Sequence, residues 1–250
     1  MALEMFIVRS LKMGIPSAML FGGIMNSFKT LTKKEWLLWS ISEAVVIASN
    51  IISGKIDIVN LMATVIGVTA LIFVAKGDVL GQVLTLIFSA LYAIASWRFH
   101  YWGEMITYLG MSAPSAAAAI VSWLKNPYEK GKNVVKIHRL KAWETALMIV
   151  LTIAVTTVFY FILGYLKTPN LWVSTVSVTT SFLASYLLFF RNSYYALAYA
   201  ANDIVLIILW ILATISDISY LPMIFCFVMF LLNDLYGFIS WKKREGEQGI

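Results

Sequence analysis

Two asparagine-aspartate pairs, Asn202-Asp203 and Asn233-Asp234, interrupt long apolar runs; Trp210 follows the first, and Tyr236, Gly237 and Trp241 follow the second. An aspartate within hydrocarbon costs about 2.5 to 3.5 kcal/mol on insertion scales, so each is expected to face a partner or a wet cavity. Tyr195, Tyr199, Asn202, Asp203 and Trp210 recur at helical spacing, which places rings and hydrogen-bonding groups on one face. Such a stripe suits a flat ligand with polar edges. Aromatic faces stack on a heteroaromatic ring, an amide both donates to and accepts from sugar hydroxyls, and a carboxylate balances a cationic ring. Counting inward from Ser193, Asn202 lies roughly 13 Å along its helix at 1.5 Å per residue, and Asn233 stands at a similar distance from Trp241. Both pairs are therefore expected at one depth, facing one cavity. The competing reading, in which these side chains only join helices to one another, stays open at this stage.

Earlier in the chain Gln82, Ser89, Tyr92, Glu104 and Tyr108 are the counterparts of this set, and Glu43 is a further acid inside an apolar run. Pro114 is expected to kink its helix. There is no Walker-type phosphate loop, no Cys/His metal spacing and no nucleophile with a base, so neither catalytic residues nor a metal or cofactor are expected. The chain reads as a non-enzyme. One cysteine, Cys226, permits no internal disulfide.

The elements that hold these residues follow from composition. The 250 residues are 60% hydrophobic and 13% charged, with a mean hydropathy of +0.82. Nearly every segment between short polar breaks reaches the roughly 20 residues that cross hydrocarbon. The expected fold is an all-α polytopic membrane protein with spans near 36–53, 56–75, 78–97, 103–124, 141–164, 170–190, 193–215 and 219–241. Breaks such as Ser53-Gly54-Lys55, Lys76-Gly77-Asp78 and Arg191-Asn192-Ser193 combine charge with helix-stopping residues, as tight membrane-surface turns require.

This topology sorts charge by side. Of the 19 Lys and Arg residues, all but Lys55, Arg98 and Lys167 fall on the side of both termini. The positive-inside rule then places the termini and the 125–140 basic loop in the cytoplasm of a bacterial inner membrane. Net charge of +6 is read as orientation rather than nucleic-acid binding. Trp36, Trp39, Trp97, Trp102, Trp123, Trp143, Trp172 and Trp241 are expected near the headgroups. Residues 1–35 read as a cytoplasmic or interfacial segment, because Arg9 and Lys12 break the apolar run.

Spans two to four share a rhythm with spans six to eight. This implies a parallel repeat: 36–53 as an extra span, 56–124 as one three-helix bundle, 141–164 as a linker helix, 170–241 as the second bundle and 242–250 as a tail. A repeat of this kind puts a solute path at the interface of its halves, near the midplane.

Val74-Ala75-Lys76-Gly77, the stretch from Tyr101-Trp102-Gly103-Glu104 through Pro114 to Trp123, Asn202-Asp203 with Trp210, and Asn233-Asp234-Leu235-Tyr236-Gly237 with Trp241 together resemble the PnuC family of vitamin transporters. The resemblance covers about residues 56 to 242. It implies a SWEET-like 3+1+3 fold and facilitated diffusion of nicotinamide riboside, which a cytosolic kinase would trap after entry. It also implies a substrate site that includes Asn202, Asp203, Asn233, Asp234 and the neighbouring rings. Family members often carry Trp-x-x-Trp before the seventh-span Asn, where this chain has Tyr195 to Tyr199, and Phe88 replaces a third-span Asn. Relatives carry thiamine or riboflavin, so these vitamins are the alternatives, along with a non-transporting receptor or scaffold. The expected partners are a small-molecule vitamin, membrane lipid and a second copy of the chain in a homo-oligomer.

Overall fold

In the computed structural model, residues 27–52, 58–98, 102–129 and 134–250 are described. The expected interfacial segment up to residue 26, the Ser53-Gly54-Lys55 break, His100, Tyr101, Lys130, Lys132 and the side chain of Trp102 lie outside them. The helices are α1 (Lys33–Ile52), α2 (Ile58–Lys76), α3 (Val79–Arg98), α4, α5 (Ala142–Tyr165), α6 (Leu171–Phe189), α7 (Tyr195–Ser216) and α8 (Leu221–Glu247). Helix α4 is continuous through three pieces, Trp102–Thr107, a π-helical stretch Tyr108–Ser112, and Ala113–Lys125. All 8 are long and apolar enough to span a bilayer. Among the described residues there is no β-strand, only isolated bridges.

The kink expected at Pro114 takes the form of this π stretch, in which the Ala113 N–H reaches back to the Tyr108 carbonyl. Proline has no N–H and its ring crowds the preceding turn, and one wide turn relieves both problems. The adjustment also sets the direction of Tyr108.

Helix α2 packs on α3, α3 on α4, α4 on α6, α6 on α7, α7 on α8, and α8 back on α2. These contacts close a ring. Exchanging α2, α3 and α4 for α6, α7 and α8 maps these ring contacts onto themselves. Helix α1 docks outside the ring on α2 and α8, and α5 docks on α6. The apolar side chains that α5 turns outward, Ile149, Val150, Ile153, Val158 and Phe161 among them, are exposed as lipid-facing residues should be.

The same equivalence holds at single residues. At the α2–α3 turn the Gly77 N–H bonds Val74 O, Asp78 N–H bonds Phe73 O and Gly81 N–H bonds Asp78 O. At the α6–α7 turn Arg191 bonds Leu188 O, Asn192 bonds Leu187 O and Tyr195 bonds Asn192 O. Asp78 and Asn192 each accept the N–H two residues on, from Leu80 and from Tyr194. Gly77 has φ +69° and Arg191 has φ +58°. A non-glycine residue rarely adopts this backbone, and Arg191 is held there by bonds from its guanidinium to Ser122 Oγ and Lys136 O.

Both turns lie at the basic end of the bundle, and the segment between α4 and α5 crosses beneath them. Val135 donates to Gly77 O and His138 donates to Arg191 O. Gln248, just past α8, binds the backbone of Ile137 and of Val135. Val135 and Ile137 are buried, so these residues of the basic loop strap the two turns together. Trp36, Trp97, Trp143 and Trp172 are exposed near helix ends, whereas Trp123 and Trp241 are only 1% exposed. These two face inward because α4 and α8 belong to the inner ring and turn their indoles toward each other, with centroids 5.6 Å apart.

Candidate functional site

A cavity of about 70 Å³ runs along the middle of the ring. Gly67, Ala70, Leu71 and Val74 line it from α2, Thr85, Phe88 and Ser89 from α3, and Tyr108 and Ser112 from α4. Ser181 and Leu188 come from α6, Tyr199, Asn202 and Asp203 from α7, and Phe227, Phe230 and Asp234 from α8. Every ring helix contributes, and neither α1 nor α5 does.

Polar groups gather on the α7 wall. The Asn202 carbonyl oxygen accepts from Thr180 (2.8 Å), Ser181 (3.0 Å) and Ser177 (3.4 Å), all on α6. With its oxygen so occupied, the amide presents its NH2 to the cavity. Asp203 of α7 and Asp234 of α8 are both buried and both line the cavity, so two carboxyls share one low-dielectric space. Like charges in one buried site disfavour ionising together, so a cation placed beside the pair is favoured. Tyr199 lies a turn away, its hydroxyl 3.1 Å from Ser185 Oγ. The facing wall is aromatic: Phe88 packs at 5.7 Å from Tyr108 and 5.6 Å from Phe230. Among the described residues, no Lys, Arg or His lines the cavity.

Carrying the register of the two turns along α3 and α7 pairs Thr85 with Tyr199, Phe88 with Asn202 and Ser89 with Asp203. The site is thus asymmetric on a symmetric frame, polar and acidic on one wall and apolar on the other. Gly67 permits this close approach, since a Cβ there would meet the Phe230 ring at 2.7 Å and Phe88 at 3.0 Å.

Two clasps close the basic end. The Trp241 indole N–H donates to Val74 O at 2.9 Å, and the Trp123 indole N–H donates to Leu188 O at 3.2 Å. Each bond joins one half of the ring to the other, and the two are equivalent under the repeat. Tyr195 adds a bond from its hydroxyl to the same Val74 carbonyl and packs at 4.7 Å on Trp241.

A family model described as "Nicotinamide mononucleotide transporter" matches residues 57–243, about the extent of the ring. The chain belongs to that family. It is 28% identical over 187 residues to a nicotinamide riboside transporter PnuC of Neisseria mucosa, a match covering 73% of this chain and 71% of that one. It is 26% identical over 181 residues to the protein of that name from Haemophilus influenzae, covering 71% and 76%. A crystal structure of the vitamin B3 transporter PnuC superposes with a TM-score of 0.74 at 24% identity, over 85% of this chain and 92% of that one. The fold is therefore shared, and the resemblance drawn from the residues stands.

Within this family member the cavity brings together Asn202, Asp203, Asp234, Tyr199 and Tyr108 of the expected site residues. Others stand elsewhere. Asn233 is buried but turned about 100° from Asp234 on α8, and its amide donates to Ser42 Oγ of α1 and to Met229 O. Tyr236 reaches Glu35 of α1 at 3.2 Å. Tyr195 serves the clasp, and Gln82, fully buried, does not line the cavity. Tyr92 and Trp210 belong to one buried cluster above it, at the end away from the basic one, and Tyr92 packs on Tyr108 with ring centroids 4.2 Å apart. The docking of α1 explains the first two misplacements, because a helix outside the repeat leaves no periodic signal of where it binds.

Residues the stripe argument missed, notably Thr85, Ser112, Ser181, Phe227 and Phe230, come from faces with few charged groups. Aligning Lys76-Gly77-Asp78 with Phe190-Arg191-Asn192 would have found Thr85 as the partner of Tyr199.

Proposed function

We propose that this protein carries nicotinamide riboside, a pyridinium nucleoside, across the bacterial inner membrane by facilitated diffusion. The observation that carries this reading is the make-up of the cavity: two carboxyls, Asp203 and Asp234, and no basic side chain among its described lining residues. A pyridinium cation is matched by that pair, whereas a nucleotide would bring its phosphate into an acidic, low-dielectric site without a counter-ion. The nucleoside named for the two relatives fits this chemistry better than the nucleotide in the family's description. In this reading the ring lies among Phe88, Tyr108 and Phe230, the Asn202 amide and the hydroxyls of Ser89 and Ser181 meet the ribose, and Asp203 with Asp234 supply the charge.

The basic end faces the cytoplasm by the positive-inside rule. Net import then comes from the gradient, sustained by a cytosolic kinase that adds the phosphate the cavity rejects. The two halves of the ring move as units, and the indole clasps break when the cavity opens inward. Counterflow of labelled nicotinamide riboside into proteoliposomes tests the site. Asn202→Ala is expected to reduce uptake at least about tenfold while the protein still purifies as a folded species. Uptake at the unaltered level would remove the assignment.

A further inference from the structure

A second polar chamber lies at the end of the bundle away from the basic one. Its volume is about 310 Å³, and its walls include Glu104 of α4, Thr168, Ser174 of α6, Leu209 of α7, Asp217 and Tyr220. Glu104 is 7% exposed and, among the described residues, has no hydrogen-bond or ion-pair partner. The Thr168 hydroxyl is likewise buried without one. A carboxylate withdrawn from bulk water with nothing to pair it is costly to maintain, and it sits in a space large enough for a solute.

The chamber and the central cavity share a wall. Tyr108, one turn beyond Glu104 on α4, lines the cavity and packs against Tyr92 with ring centroids 4.2 Å apart. Tyr92 and Trp210 belong to one buried cluster, and the Trp210 ring stands 5.7 Å from that of Tyr220 on the chamber side. An aromatic partition of Tyr92, Tyr108 and Trp210 therefore separates one acid, Glu104, from another, the Asp203 and Asp234 pair.

We propose that this chamber is an outer binding site for the pyridinium nucleoside, with Glu104 as its counter-charge, from which the solute passes the aromatic partition into the central cavity. The proposal rests on the substrate reading above. Rings that bind a cation by their faces lower the barrier between the two acids, and Glu104 concentrates the cation at the entrance.

The test compares proteoliposome uptake of nicotinamide riboside with uptake of its dihydro form, whose ring is uncharged. Glu104→Gln is expected to raise KM for the cation about tenfold and leave KM for the neutral form within about twofold. The tight equilibrium Kd of the purified protein for the cation is expected to stay within about threefold, because the central pair is untouched. Glu104→Asp should recover most of the cation's KM, which a merely structural role for the carboxyl would not produce. Equal changes for both solutes, or none for either, would overturn the chamber's role alone. If the unaltered protein carries neither nucleoside, the substrate reading itself falls, and this proposal with it.

Discussion

The indole clasps give the account a magnitude that can be measured. Trp241 and Trp123 each donate one hydrogen bond across the interface of the halves, at 2.9 and 3.2 Å. Interhelical hydrogen bonds in membranes contribute on average about 0.6 kcal/mol and at most about 1.7. Trp241→Phe keeps an aromatic ring and removes the donor, so the form open at the basic end should rise about threefold in population, with an upper bound of about eighteenfold. The two clasps are equivalent and join the same halves, so combining Trp123→Phe with Trp241→Phe should multiply the effects to about eight- or ninefold. The assay is the labelling rate of Ser181→Cys, a cavity-lining position, by an impermeant thiol reagent applied to inside-out vesicles. Cys226, the free cysteine in the buried core, is replaced by alanine. Melting midpoints of the variants separate opening from general loosening. A labelling rate unchanged by Trp241→Phe, or a double variant no faster than the single ones, would refute the assignment of these indoles to the closure.

Two further outcomes follow from buried polar groups. Both side-chain amide atoms of Gln82 are buried without hydrogen-bond partners among the described residues, so Gln82→Met should stabilise the closed protein by about 1 to 3 kcal/mol, read as a higher melting midpoint in detergent; an unchanged or lower midpoint would contradict the reading. Asp78, in the α2–α3 turn outside the spans, has its carboxyl pushed above the ordinary range by burial, against the bonds from Ser27 and the Leu80 N–H and the charges of Lys76 and Arg244. A group raised on folding stabilises most at pH below its unfolded value, and that contribution is lost as pH rises through the folded one. Asp78→Asn, which copies Asn192 at the equivalent turn, should therefore flatten the fall of the melting midpoint as pH rises above about 4. Parallel curves for the two proteins would show that the carboxyl is not the cause.

The spans were legible because hydrocarbon thickness fixes their length and because Lys and Arg sort by side, two signals that hold however the helices pack. Asn202, Asp203 and Asp234 were legible too, since an ionisable group in lipid has few places to go. Asn233 and Tyr236 misled because adjacent helical positions point about 100° apart, and only the docking of α1, through Ser42 and Glu35, decides which of them meets the cavity. Tyr195 and Trp241 were found as aromatic but not as clasps, because a bond to the Val74 carbonyl depends on a backbone position in another helix. Phe88 was visible only as a departure from a family pattern. Its role as the apolar counterpart of Asn202 emerges once the two turns are superimposed in register.

Calorimetric titration of the purified protein with nicotinamide riboside and with its 5′-phosphate, alongside thiamine and riboflavin, tests the charge argument most directly. The riboside is expected to bind, the phosphate to bind at least about tenfold more weakly, a difference of about 1.4 kcal/mol, and Asp203→Asn to weaken the riboside by a similar factor. Equal or tighter binding of the phosphate, or full affinity in Asp203→Asn, would contradict a cavity built around an acidic pair for a cationic nucleoside.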